Sequence, residues 1–451
     1  MAISRRDLLR SAALAAFAVP LHACAGRIRA GLPVLDAKGY GPLRPVADAT
    51  TGVPLLELPE GFRYLTFGWT GDPMDDGRRT PAMHDGMAAF AGADGQVVLV
   101  RNHEVGAGPA FGEGAYDPRG GGGTTTLVFD PRAERVAGMR PSLAGTLRNC
   151  CGGPTPWGSW LTCEETVAGP DIEQSGATKQ HGYIFEVPHG GASDAQPLKA
   201  MGCFVHEAIA IDPRTGIVYE TEDRAQAGLY RFLPETPGRL ADGGRLQMLA
   251  IDGRPLLDTS RGQRQGVTHG IHWVDIEEPD RPHVNASQGD ARGVLQQGLD
   301  RGGAIFSRLE GACFGDGRLF ITATDGGEAR MGQVWEIDPE RDTLRLVFQS
   351  PGPQAMNMPD NLCLSPRGGL AVCEDGTLNP CLHALTRDGR VFRFARNAVR
   401  LAGERNGIAG DFTSREIAGA TYSPDGQWLF FNIQTPGITF AVTGPWSDGG
   451  L

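Results

Sequence analysis

The chain has 451 residues, of which 40% are apolar, 7% aromatic and 21% charged, enough to bury a large core. Lys plus Arg number 42 against 53 Asp plus Glu, a formal charge of −11 with no basic run beyond the N-terminus, which argues against a nucleic-acid-binding surface. The 65 glycines and 32 prolines follow no three-residue period, so collagen is excluded and many short strands with tight turns are expected.

The first residues, Ser4-Arg5-Arg6-Asp7-Leu8-Leu9-Arg10, precede an apolar stretch from Ala12 to Leu21. A twin arginine ahead of a short hydrophobic segment reads as a Tat-type signal peptide over residues 1–25, addressed to the Tat export machinery. The stretch is too short for a transmembrane span. Ala23-Cys24-Ala25 offers a cleavage site, and Leu21-His22-Ala23-Cys24 is an imperfect lipobox that would anchor the chain through Cys24. A periplasmic or secreted protein is therefore expected. Because Tat carries folded chains, a cofactor inserted before export is expected too. Residues 26–52 read as a linker and 53–451 as one domain.

Within that domain one unit recurs: a polar residue, a short apolar strand, a tight turn, a second apolar strand and a further polar residue. The copies run Asp85 to Glu104, Cys150 to Glu165, Glu207 to Asp223, Glu310 to Asp325, Asp360 to Asp375 and Glu416 to Gln434. A longer interval holds an insertion around residues 234–304. Residues 53–69 are a further strand, placed to close the ring. Long amphipathic helical patterns are missing, so the prediction is all-β: a six-bladed β-propeller with loop insertions, expected as a monomer.

A hairpin folds back on itself, so its first and last residues share one end, and the strand-starts of a propeller converge on the axis. Packing that many carboxylates together is prohibitive without cations. Oxygens from Asp, Glu and the nearby Asn102, Asn361 and Asn432 suit calcium, whereas Cys150 points to a softer transition metal. Arg308 lies two residues before Glu310, and Arg148 two before Cys150. A guanidinium at the rim of a metal cluster suits a phosphate-like oxyanion. Asp212, Asp338 and Asp425 sit at the opposite end as turn residues. His84, His103 and His206 read as packing neighbours of the ligands. Cys163, Cys203, Cys313, Cys363 and Cys373, in or beside apolar runs, read as small buried hydrophobes.

The segments RNHE (101–104), NCCGGPTPWGSWLTCEE (149–165), FVHEAIAIDPRTGIVYETED (204–223), RLEG (308–311), PDNLCLSPRGGLAVCED (359–375) and SPDGQWLFFNIQTPG (423–437) resemble the PhoX family of alkaline phosphatases. The resemblance runs from about residue 53 to 446. It implies Fe(3+) and Ca(2+) at the axis and a metal-bridging oxygen acting in phosphomonoester hydrolysis. It further implies that Cys150, Glu165, Glu207 and Glu310 are metal ligands, with Cys150 on iron. Asn102, Glu104, Asp223 and Glu374 or Asp375 would lie on the calcium side, and Arg308 would hold the phosphate. The expected function is release of phosphate from small organic phosphate esters at alkaline pH. Two other classes are a calcium-dependent lactonase propeller, against which Cys150 and the paired acids argue, and a non-catalytic calcium-stabilised binding propeller.

Overall fold

The computed structural model describes residues 34–35, 39–172, 174–282, 292–386, 389–446 and 450–451. The signal segment, Cys24 and the start of the linker lie outside them. Apolar runs broken by Gly-containing turns fold into antiparallel meanders. The first comprises His84–Ala91, Val97–His103, Gly122–Asp130 and Arg135–Thr146. Asn149–Pro154, Ser159–Glu164 and Ile184–Pro188 form the next. His206–Ile211, Val218–Glu222, Leu229–Pro234 and Gly244–Ile251 follow. Beyond them come Leu309–Gly315, Arg318–Ala323, Gln333–Asp338 and Thr343–Gln349. Strand Thr268–Ile276 pairs with both Gly244–Ile251 and Thr343–Gln349, fusing two meanders into a nine-stranded sheet.

Pro359–Leu364, Leu370–Glu374, Cys381–Leu385 and Arg390–Asn397 form the meander after that. The last one, Ile417–Tyr422, Leu429–Ile433 and Ile438–Thr443, takes its outer strand from the other end of the chain. There Arg63–Phe67 runs antiparallel to Ile438–Thr443, with Thr66 opposite Phe440. The segment expected to close the ring does so.

The first strand of each meander is the inner one. His84–Ala91 packs beside Asn149–Pro154, which packs beside His206–Ile211. The series continues through Leu309–Gly315, Pro359–Leu364 and Ile417–Tyr422 and returns to His84–Ala91. The protein is an all-β propeller. Apolar side chains fill the space between neighbouring sheets, as where Phe67, Leu99, Phe129, Trp428 and Phe430 interleave the last and first. The inner strands come so close that only small residues fit. A Cβ on Gly86 would lie 2.6 Å from Cys151 Cα, and one on Gly311 2.5 Å from the Asp360 carbonyl oxygen.

The stretch 234–304, read above as an insertion, is partly regular blade. Gly244–Ile251 completes the third meander, and the departure begins after it with Thr268–Ile276 and the helix Gly293–Leu299. No helix of the described residues is long and apolar enough to cross a membrane.

Candidate metal centre

Each inner hairpin slips register close to its open end. The shifts fall between His84 and Met87, His206 and Ile209, Leu309 and Ala312, Pro359 and Leu362, and Ala418 and Thr421. In the remaining hairpin the shift falls between Thr162 and Glu164. Bulges re-aim side chains, and these turn Asp85, Cys150, Glu207, Glu310 and Asp360 towards one another. A recurring bond fixes the frame. The amides of Glu104, Glu165, Asp223, Thr324, Asp375 and Gln434 donate to the carbonyls of Met83, Arg148, Val205, Arg308, Met358 and Glu416.

That frame corrects two repeat assignments. Glu416 does not match Asp85 or Glu207, because Ala418 occupies their position and Glu416 matches Arg148 and Arg308. Thr324, not Asp325, matches Glu104 and Glu165, and Asp325 instead accepts from Ser307 Oγ at 2.5 Å and Arg330 at 2.6 Å. Arg148 and Arg308 hold their place through left-handed backbone, with φ of 48° and 46°.

Side chains on the second strands tie four of the axial residues to the neighbouring blade. Asn102 Nδ2 donates to the carbonyls of Cys150 (2.9 Å) and Cys151 (2.7 Å), and Asn432 Nδ2 to that of Asp85 (2.6 Å). The hydroxyls of Thr221 and Thr322 do the same to the carbonyls of Glu310 (2.6 Å) and Asp360 (2.8 Å). Asn102 Oδ1 accepts from Trp160 Nε1 and Thr162 Oγ1. Its amide is spent on these bonds, so the structure does not bring Asn102 into the cluster as an oxygen donor. Asn361 likewise bonds Cys151 Sγ and the Ala420 amide.

The paired acids also divide. Neighbours on a strand face opposite ways, so Asp375 turns to the axis while Glu374 turns back into its blade. There Glu374 accepts from the amides of Asn357 (2.6 Å) and Cys381 (2.8 Å). Glu164, behind Glu165, accepts from Gly182 N (2.9 Å) and lies 2.6 Å from His181 Nδ1. Glu222, behind Asp223, accepts from Gly228 N and Tyr230 Oη. In each doublet the first acid anchors the backbone and the second is presented.

At the axis, Cys150 Sγ lies 3.2 Å from Glu207 Oε1. The ligand atoms of Cys150, Glu165 and Glu207 all fall within 4.8 Å of one another, as do those of Cys150, Asp85 and Glu104. Cys150 is thus shared by two groups, whereas Cys151 faces the apolar core. Gln434 Nε2 donates to Glu104 at 2.6 Å and Asp85 at 3.4 Å. Above them Arg148 pairs with Glu104 (2.8 Å) and Glu165 (2.5 Å). Arg308 pairs with Glu310, with Asp223 at 3.2 Å and with Asp375 at 3.5 Å.

Burial, reinforced by facing carboxylates, pushes the acids of Asp85, Glu207, Glu310 and Glu416 well above the usual range. Burial likewise raises Glu165 and Glu104, with Arg148 opposing it, and lifts Asp360 to about 7. The Cys150 thiol rises for the same two reasons. Acids raised by burial and by one another, with Arg148 and Arg308 the cations paired with them among the described residues, form a site whose ionised state bound cations would stabilise. The donor set fits: clustered carboxylate oxygens for hard ions and one thiol for a transition metal. Asp85 and Asp360 stood in the repeat but outside the ligand set implied by resemblance. The structure places both inside the cluster.

No curated protein sequence matches the chain. Among solved structures it is similar to Pseudomonas fluorescens PhoX in complex with vanadate, a transition state analogue. Identity is 16%, coverage 93% of this chain and 99% of that one, and the TM-score 0.64. A gluconolactonase from Xanthomonas campestris overlays at 13% identity, 94% and 100% coverage and a TM-score of 0.42. The family description alkaline phosphatase PhoX matches residues 38–135 and 130–437. The chain belongs to the alkaline phosphatase PhoX family and is a phosphatase.

Proposed function

We propose that the axial cluster is the centre at which this phosphatase hydrolyses small organic phosphomonoesters, and that it binds iron and calcium. The observation that carries this reading is the meeting of Asp85, Glu104, Cys150, Glu165 and Glu207 in two overlapping ligand groups beneath two arginines. Cys150, Glu165 and Glu207 would hold iron. Glu104, Asp223, Glu310, Asp360 and Asp375 would hold calcium. Bound there, the ions would supply charge neutralisation at the phosphoryl oxygens and activation of an oxygen nucleophile.

The chain's own groups would do the rest. The Arg308 guanidinium, partly exposed at the mouth, is kept charged by Glu310 and Asp223, which outweigh its burial. It would bind the ester's phosphate through paired N–H donors and stabilise charge on its equatorial oxygens. Arg148 would orient Glu104 and Glu165. The ties from Asn102, Thr221, Thr322 and Asn432 would hold the axial backbone rigid. Asn102 and Glu374 would support the axial centre without binding its ions.

The same reading takes the ring as six blades, counting the nine-stranded sheet as two meanders joined through Thr268–Ile276. It takes residues 1–25 as a Tat-type signal, 26–52 as a linker and 53–451 as one catalytic domain. The protein would work as a monomer in the periplasm or outside the cell. A substrate panel tests the function: an aryl phosphomonoester and an aldonolactone offered to the same metal-loaded preparation at about pH 9. Phosphate release without lactone opening is expected. Lactone opening without phosphate release would overturn the assignment.

A further inference from the structure

The residues behind Asp375 differ in one respect from those behind Glu165. Behind Glu165, both ring nitrogens of His181 meet carboxylates: Nδ1 lies 2.6 Å from Glu164 and Nε2 3.3 Å from Asp117. Behind Asp375, His383 is 1% exposed and Nε2 lies 2.8 Å from Glu374 Oε1, yet neither ring nitrogen meets an acceptor or donor at good hydrogen-bonding angles. A buried imidazole close to a carboxylate but poorly aligned for a hydrogen bond suits a ligand placed between them.

What faces it is a donor set. The ladder pairs Cys373 with Leu382 and Val372 with His383, so Glu374 lies across from Cys381, and His383 follows two residues along the same strand. Cys381 and His383 therefore share a face. The ligand atoms of Glu374, Cys381 and His383 all lie within 4.8 Å of one another, and all three residues are buried. The Cys381 thiol is otherwise directed only at the Asn379 carbonyl, 3.5 Å away. The Glu374 carboxylate already accepts from two backbone amides. Outer hydrogen bonds of that kind orient metal-ligating carboxylates.

We propose that Glu374, Cys381 and His383 form a second metal site, separate from the axial centre, for a zinc-type divalent ion. Thiolate, imidazole and carboxylate are the mixed donors such an ion takes, with one further position left for a fourth donor. A divalent cation, a thiolate, a carboxylate and a neutral imidazole sum to zero charge, which suits a buried place. Binding releases the thiol proton, and the imidazole proton if His383 carries one, to solvent. The ion would clamp the strands Leu370–Glu374 and Cys381–Leu385 at the point where Asp375 leaves for the axis.

The test reads metal and not activity, so it stands or falls separately from the phosphatase assignment. Protein exported from a Tat-competent host, exposed to zinc and dialysed, is analysed for zinc, iron and calcium. The expected result is about one zinc per chain that is lost in Cys381→Ser and His383→Ala while iron and calcium stay. Unchanged zinc in both variants, or no retained zinc in the parent protein, overturns the site and leaves a plain His383–Glu374 ion pair. Should the variants fail to fold, zinc-edge X-ray absorption on the intact protein decides. One sulfur at about 2.3 Å with nitrogen and oxygen at about 2.0–2.1 Å supports the site, and a shell without sulfur refutes it.

Discussion

Acids occupy both ends of the inner hairpins, and their surroundings are opposite. At the turn end, Asp425 accepts from Ser423 Oγ and Gln427 N, and Asp212 from the Arg214 amide. Asp338, at the turn of an outer hairpin, meets Arg318 and Arg341 at 2.9 and 2.8 Å. These carboxylates are satisfied locally and shape turns. At the open end, Asp85, Glu207, Glu310 and Asp360 face each other with burial and repulsion both raising their protonation. A fold gains no stability from such a cluster unless something cationic enters it. The comparison separates acids that build the propeller from acids proposed to do its chemistry.

Substitutions can break or sharpen that contrast. The largest effect is expected from Cys150→Ala, which should lose bound iron and bring phosphate release to background together. Retention of iron in that variant would remove Cys150 from the centre. Arg308→Ala should keep the metal content and lower kcat/KM by about 10²–10³-fold, the scale of removing one donor to a transition-state oxyanion. A variant with parental kcat/KM would show that Arg308 only balances Glu310 and Asp223.

The metal-free protein gives a pH-dependent test. Its axial acids titrate above the usual range, so the folded state holds protons that the unfolded chain has released. Stability is then greatest below the ordinary carboxylate range and falls as pH rises through about 7, where Asp360 ionises, and beyond. Melting of chelated protein should thus drop from pH 5 to pH 8, and added calcium should abolish the drop. A flat profile without metal would contradict the repulsion argument. Gly86→Ala, whose new Cβ would meet Cys151 Cα at 2.6 Å, should cost about 1–3 kcal/mol, read as a lower Tm. At the turn end, Asp425→Ala should cost only about 0.5–1.5 kcal/mol and leave turnover intact.

Much of this was legible in the sequence because strands carry a two-residue alternation and Gly-containing turns mark where each hairpin reverses. Those signals give the repeat, the inner strands and the closing segment around Arg63–Phe67. Four details escaped for physical reasons. Counting from acid to acid cannot see a bulge, so Glu416 and Asp325 were aligned with positions that Ala418 and Thr324 occupy. Neighbouring acids face opposite sides of a strand, and the phase of Glu374 and Asp375 is set by the bulge and by bonds to Asn357 and Cys381. Asn102 has the chemistry of a calcium ligand, but the close approach of the next inner strand captures its amide. The His181 pairing with Asp117 spans 64 residues and left no local trace.

The central claim is that the axial acids and Cys150 form a metal-dependent phosphatase centre. The most direct test is phosphate release from an aryl phosphomonoester at about pH 9 before chelation, after chelation, and after iron and calcium are restored. The account predicts turnover that disappears with the metals and returns with them. Turnover indifferent to chelation in protein shown to be metal-free would contradict it.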